Sequence, residues 1–235
     1  MNNRITFRLW GNFALFTDPI TKIGGEKCSY HIPTYEALKG IARSIYWKPT
    51  FIWFIDKIRV IKKIRTQTKG IKPLNYSEGG NTLAFYNYLS NVEYQVQAHF
   101  EWNLQLPELT NDRIDGKHYE IAQKLLKRGG RRDIFLGTRE CQGYVEPCVF
   151  GEGQGYYDDV PELSFGFMFH SFSYPEESGE CKLYSKFWNA KMKHGIVEFP
   201  RPNDCSISKF VAHMQPVKFV PRISFSGLKE EGLYS

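Results

Sequence analysis

"YQVQAHFEWNLQL", residues 94–106, alternates without a break. Tyr94, Val96, Ala98, Phe100, Trp102 and Leu104 point one way; Gln95, Gln97, His99, Glu101 and Asn103 point the other. Period two over this length predicts a strand with one face in the core and one face polar. A sheet with one wet face is typically antiparallel and carries helices on its dry face, so the flanking segments decide the topology.

Forward of this strand, "IDGKHYEIAQKLLKRGGRRDIFLG", residues 114–137, reads as a helix. Ile121, Ala122, Leu125 and Leu126 form its apolar stripe, Asp115 is the expected N-cap, and Gly129-Gly130 stop it. "RDIFLG" and "YVEPCVF" then supply a later strand. Backward, "FIWFIDKIRVIKKI" is apolar and β-branched over its first half, as a buried strand should be. "PTYEALKGIARSIYWKP" opens on Pro33-Thr34, carries Leu38, Ile41, Ala42 and Ile45 on one face, and must stop before Pro49. "RITFRLW" alternates Ile5, Phe7 and Leu9 against Arg4, Thr6 and Arg8. The order is β-α-β-β-α-β, so the expected fold is α+β, with a ferredoxin-like or RRM-like domain over residues 1–150.

Beyond the glycine-rich "FGEGQGYYDD" the composition changes. "LSFGFMFHSFSY", "ECKLYSKFW" and "GIVEFP" predict three short strands joined by turns at "PEESGE" and "KMKHG". They make residues 151–235 a small antiparallel β subdomain, with a loose polar tail from about Pro221. Two insertions interrupt the first domain: a glycine-containing loop over 11–32, and a basic segment around 57–72. The latter carries Lys57, Arg59, Lys62, Lys63, Arg65 and Lys69. Read as a long basic hairpin it suits nucleic acid, with Lys62, Lys63 and Arg65 as contacts; read as a solvated edge guarded by lysines it needs no partner.

A chain of 235 residues with a net charge of +6 buries a real core and leans towards polyanionic partners. Duplex DNA stays open as one of them. Five scattered cysteines, odd in number and never spaced C-x-x-C, argue against a disulfide framework and a structural zinc site. No stretch has signal-peptide or bilayer-spanning character, which makes the cytoplasm the expected location.

No H-E-x-x-H and no Walker loop is present, so neither a metal nor a cofactor is expected. Asp158-Asp159 and Asp112/Asp115 are close acidic pairs of a kind common in solvated turns. "GEGQG" reads as a joint between subdomains rather than a nucleotide cradle. His118 lies towards the apolar stripe, since Ile121, Ala122 and Leu125 follow at plus three, four and seven. It reads either as a core histidine or as a general base. In a first helical turn the macrodipole favours neutral imidazole, free N–H groups seat a phosphate, and Lys117 adds charge. The far end of the same helix is basic: Lys127, Arg128, Arg131 and Arg132. Such a set suits metal-free RNA cleavage, in which a 2′-hydroxyl attacks its own phosphate and leaves a cyclic phosphate and a 5′-hydroxyl. A third group would help, and Tyr46 is one candidate, but composition does not pick it from fourteen tyrosines.

"FTDPITKIGGEK", "PTYEALKGIARSIYWKPT", "GKHYEI", "GGRRDIFLGTRECQGYV" and "FPRPNDC", in this order, resemble the fifth CRISPR-associated protein family in its d form, of subtype I-C systems. The resemblance covers nearly the whole chain. It implies the repeat-associated (RAMP) superfamily, with a ferredoxin-like domain and a small C-terminal β subdomain. It also implies an endoribonuclease that cuts precursor CRISPR RNA without metal and stays on the 5′ handle of the mature guide (crRNA) within the interference complex. The family's catalytic Tyr, Lys and His match Tyr46, Lys117 and His118. His118 as base, Lys117 steadying the phosphorane and Tyr46 orienting or protonating is the preferred division, with the assignment of base and acid left open. A non-catalytic crRNA-binding subunit is the alternative. A generic RRM is disfavoured, because "YQVQAHFEW" lacks the Lys/Arg-Gly-aromatic signature and the faintly similar "FGFMFHSF" lies in the second subdomain.

Overall fold

The computed structural model describes residues 3–77 and 79–219. The expected tail from Pro221 lies outside them. In chain order the elements are β1 (Arg4–Ala14), α1 (Pro19–Ile23), α2 (Tyr35–Ile45), β2 (Phe51–Val60), β3 (Thr66–Ile71) and β4 (Ala84–Trp102). A 3₁₀ turn (Pro107–Asp112), α3 (Lys117–Lys127), β5 (Ile134–Phe135), β6 (Gln142–Pro147) and β7 (Leu163–Ser173) follow. The chain continues through α4 (Pro175–Ser178), β8 (Lys182–Met192), β9 (Ile196–Glu198), a second 3₁₀ turn (Pro202–Asp204) and β10 (Ile207–His213).

The fold is α+β with two antiparallel sheets. Among the described residues the larger has seven strands in the order β5-β6-β1-β4-β2-β9, with β3 also on β4. The smaller runs β10-β8-β7. On β4, Tyr94, Val96, Ala98 and Phe100 are buried as the alternation predicts. They meet Leu38, Ile41, Ala42 and Ile45 of α2 and Ile121, Ala122, Leu125 and Leu126 of α3 in one core. Thr34 caps α2 by accepting from the Ala37 amide at 3.2 Å. The link into β1's far end is close-packed: Gly137 has φ 97°, and a Cβ there would run into the Leu15 carbonyl.

Several expectations are corrected. Leu104 is 72% exposed. The strand ends at Trp102, and Asn103 turns inward to donate to the Glu176 carbonyl at 2.9 Å. β4 also begins ten residues before Tyr94, because its first half pairs with β3. The basic segment is therefore not one protruding hairpin. Lys57 and Arg59 belong to β2 in the sheet, and the arm that extends from it is made by residues 66–89. Arg59 is buried, holding Asp158 at 2.6 Å and the Gly153 carbonyl at 2.8 Å. The glycine-rich turn thus closes over the polar face of the sheet. "GIVEFP" does not join the small sheet: β9 pairs with β2, burying Val197, and β10 takes the third place.

The small sheet packs its inner face, Met168, His170 and Trp188, against the body. The His170 ring stacks on Tyr35 at 4.2 Å, and Nε2 donates to the Pro200 carbonyl at 3.1 Å. Burial pushes its pKa down to about 4. An unfolded histidine takes its proton near 6.5, so the unfolded chain binds the extra proton between the two values. Stability contributed here is present above pH 6.5 and is lost as pH falls towards 4. The loss approaches about 3 kcal/mol from this group alone. Urea unfolding at pH 7 and pH 4.5 should show a smaller acid loss for His170→Gln than for the parent; equal losses would contradict this account.

Candidate active site

α2 cannot pass Pro49, and its last amide, that of Tyr46, donates to the Ala42 carbonyl at 3.0 Å. Tyr46 then turns extended, and its carbonyl accepts from Trp53 Nε1 at 2.7 Å. The Tyr46 side chain is anchored at the junction of helix and strand and is fully buried. Opposite it, α3 begins at Lys117. Its N-cap is Gly116, with φ 78° and no side-chain cap. Asp115, the expected cap, instead accepts from the Gly116 amide at 3.0 Å.

His118 is the first residue of α3 to face inward, and it has no exposure. Its ring lies in an aromatic shell: Phe51 at 5.3 Å, Trp102 at 5.5 Å and Phe100 at 6.5 Å between centroids. Nε2 is 2.6 Å from the Asp112 carbonyl, and Nδ1 is 2.9 Å from the Tyr46 hydroxyl. A carbonyl only accepts, so Nε2 carries the hydrogen. In neutral imidazole Nδ1 is then the acceptor, and Tyr46 donates to it. Burial holds the His118 pKa below the ordinary histidine range, and the Lys48 charge pushes the same way, while Asp112 opposes both. The neutral, basic form is favoured.

Tyr46 and His118 thus meet, and Lys117 precedes His118 at the start of α3. Its half-exposed Nζ lies 4.0 Å from Glu120 on the outside of the first turn. Lys127, Arg128, Arg131 and Arg132 are exposed at the far end of α3, roughly 15 Å from His118 at 1.5 Å per residue. There the Arg131 and Arg132 amides donate to the Ser44 carbonyl at 3.1 and 3.0 Å, closing the end of α2. This turn lines a cavity of about 580 Å³ with Trp10 and Tyr144. Lys62 is paired with Glu93 at 3.2 Å and Asn91 at 2.8 Å; Lys63 lies over Tyr156, and both line a second cavity with Arg65.

Sequence reasoning missed Lys48, Thr50 and, as a neighbour of His118, Asp112. Lys48 is only 2% exposed and Thr50 not at all. Asp112 does not pair with Asp115: its Oδ2 accepts from Thr50 Oγ1 at 2.5 Å and lies 3.8 Å from His118 Nε2. Asp158 is likewise engaged, by Arg59. The signal for Lys48 and Thr50 was their place beside Tyr46 in "YWKPT"; nothing local ties position 112 to position 50. Among the described residues no group of three or more His, Cys, Asp or Glu stands together as a metal site. Nor is any helix there long and apolar enough to cross a membrane.

The family model described as "CRISPR-associated protein (Cas_Cas5)", in its Cas5d form, matches residues 4–200. The chain is 46% identical over 227 residues to the CRISPR pre-crRNA endoribonuclease Cas5d of Mannheimia succiniciproducens, covering 85% of this chain and 96% of that one. It is 27% identical over 225 residues to the protein of the same name from Thermus thermophilus, covering 84% and 91%. Among solved structures, a functionally uncharacterized protein, SMU1763c from Streptococcus mutans, superposes with a TM-score of 0.74 at 37% identity, over 88% of this chain and 96% of that chain. Fold and sequence together define a CRISPR-associated protein of the Cas5 group. Within that group, the chain belongs to the Cas5d family.

The hydrogen-bond assignment is directly measurable. Nitrogen-15 NMR of His118 should show the Nε2–H tautomer with Nδ1 as acceptor. Tyr46→Phe leaves Nδ1 without its donor and should cost about 1–3 kcal/mol of stability, the usual penalty for a stranded buried polar group. An Nδ1–H signal in the parent would contradict the assignment.

Proposed function

We propose that the chain is a metal-independent endoribonuclease that cleaves CRISPR repeat hairpins in precursor crRNA and remains on the crRNA 5′ handle as a subunit of the type I-C interference complex. It would act in the cytoplasm. The observation that carries the reading is the buried Tyr46–His118 hydrogen bond at the start of α3, beside Lys117. The names of the two relatives support the substrate class. The strand order β6-β1-β4-β2, with α2 and α3 on one face, supports a ferredoxin-like domain over 1–150. The β7-β8-β10 sheet supports a small β subdomain within 151–235, which lends β9 back to the first sheet.

The reaction needs a proton taken from the 2′-hydroxyl, charge balanced on the phosphorane, and a proton given to the 5′-oxygen. Because Nε2–H is committed to Asp112, His118 works through Nδ1 and hence through Tyr46. Tyr46 passes its proton to Nδ1 as its oxygen takes the proton of the 2′-hydroxyl. The 2′-oxygen then bonds to phosphorus, and the bond to the 5′-oxygen breaks. The Lys117 ammonium balances the charge and supplies the leaving proton. Proton transfer and charge suffice for this chemistry. The exposed arginines beyond α3, with Trp10 and Tyr144, combine phosphate contacts with stacking surfaces and suit single-stranded RNA. One observation favours a second reading, a non-catalytic crRNA-binding subunit: Tyr46 and His118 have no exposure, so a phosphate reaches them only after local rearrangement.

Cleavage of repeat RNA should persist in excess chelator, stop with a 2′-deoxy nucleotide 5′ to the cut, and leave 2′,3′-cyclic phosphate and 5′-hydroxyl ends. Products with a 3′-hydroxyl and a 5′-phosphate would refute the mechanism. His118→Ala and Tyr46→Phe should lower the single-turnover rate ~10²–10⁴-fold with RNA affinity nearly intact. Lys117→Ala should lower both. Since the His118 pKa is lowered, the base form persists as pH falls, and the acidic limb of the rate profile should lie below 6.5.

Charge reversal at Lys63 and Arg65, or at Arg131 and Arg132, should weaken RNA binding, and Lys62 should matter less because Glu93 already pairs with it. The salt dependence should become shallower by about one log-log unit for each phosphate no longer neutralised. Unchanged slopes would make these surfaces solvated edges. Duplex DNA as competitor tests the second polyanion.

A further inference from the structure

We infer that Asp112 is a positioning residue for His118 and that Thr50 is its anchor; the inference rests on the endoribonuclease reading. Asp112 acts twice. Its main-chain carbonyl accepts Nε2–H at 2.6 Å, which fixes the tautomer and turns the Nδ1 lone pair to Tyr46. Its carboxylate lies 3.8 Å from the same nitrogen, where it stabilises the imidazolium formed when Nδ1 takes the proton. The carboxylate is held in turn by the Thr50 hydroxyl at 2.5 Å. Thr50 is tied to the sheet, its carbonyl accepting from the Asn103 amide at 2.9 Å. The Arg113 guanidinium donates to the Asn103 and Leu106 carbonyls at 2.8 and 2.9 Å, fastening the 3₁₀ turn that carries Asp112. Two segments far apart in sequence, 46–50 and 103–113, therefore converge on one imidazole.

Among the described residues, the charged and titratable groups facing His118 are Asp112 from the 3₁₀ turn, Lys48 from the link after α2, and Tyr46 from the end of α2. From β2 and β4 it meets only aromatic rings. Lys48 opposes an imidazolium and Asp112 favours it, so the carboxylate is the group that eases proton uptake. Removing its charge makes protonation harder without removing any atom from the packing.

The test uses the full chain and repeat RNA. Asp112→Asn should lower the single-turnover rate about 10–100-fold, the usual scale for losing a partner that orients a working histidine. It should move the acidic limb of the pH–rate profile further down and leave RNA affinity unchanged. Thr50→Val should do the same more weakly, and Thr50→Ser should restore the parent profile; these two variants carry the test should Asp112→Asn fail to fold. Nitrogen-15 NMR reads the His118 tautomer in each. A lower melting temperature with an unmoved limb would overturn the inference and leave Asp112 a structural residue. Failure of the underlying reading is separate: His118→Ala would then cut at the parent rate.

Discussion

A histidine ring sealed inside an aromatic shell sets the terms for everything around it. Imidazole has two nitrogens, and burying either without a partner costs more than the ring's packing returns. The Asp112 carbonyl satisfies one and the Tyr46 hydroxyl the other, drawing the end of α2, the 3₁₀ turn and the start of α3 to one point. α2 must end where Tyr46 can turn inward, and the chain from β4 must coil so that Asp112 faces α3 before that helix begins. The same geometry that satisfies the ring also leaves one nitrogen lone pair directed at one hydroxyl. Fold stability and acid–base competence therefore share a hydrogen bond.

The opposite face of the sheet obeys a different rule. It is polar, and its charges are paired across strands: Arg8 with Glu93 at 2.8 Å and Glu146 at 2.7 Å, His99 with Asp56 at 2.7 Å. Arg59 is buried among Asp158, Gln95 and two carbonyls of the glycine-rich turn, because a guanidinium taken out of water needs its donors answered. The turn is thereby fixed as a cover for this face. Further positive charge stands at the rims, beyond α3 and along the link from β2 to β3.

Membership of the Cas5d family places the Tyr–Lys–His set in context, yet the three residues are not equivalent in space. Tyr46 and His118 are internal and mutually bound, while the Lys117 side chain is half-exposed. Under the proposed reaction, the internal pair would move the proton and Lys117 would supply the charge.

The periodic segments were legible because burial leaves a signature at the residue level. The alternation of 94–102 and the stripes of 38–45 and 121–126 survive in the structure since each side chain's fate depends on one nearby interface. The pairing of Tyr46 with His118 was anticipated through a family resemblance, and the burial of His118 through its helical neighbours. What sequence left undecided depended on partners remote along the chain. Arg59 looked like a surface charge until Asp158, 99 residues later, enclosed it. Residues 196–198 looked like a strand of the second sheet, and the choice of β2 as their neighbour was made by the exposed edge of the first. Asp112 looked like half of an acidic pair until Thr50, 62 residues earlier, held its carboxylate. Local pattern reports which face of a segment is dry, because that is a property of the segment. Pairing, register and hydrogen-bond partners belong to two segments at once, so only the folded chain decides them.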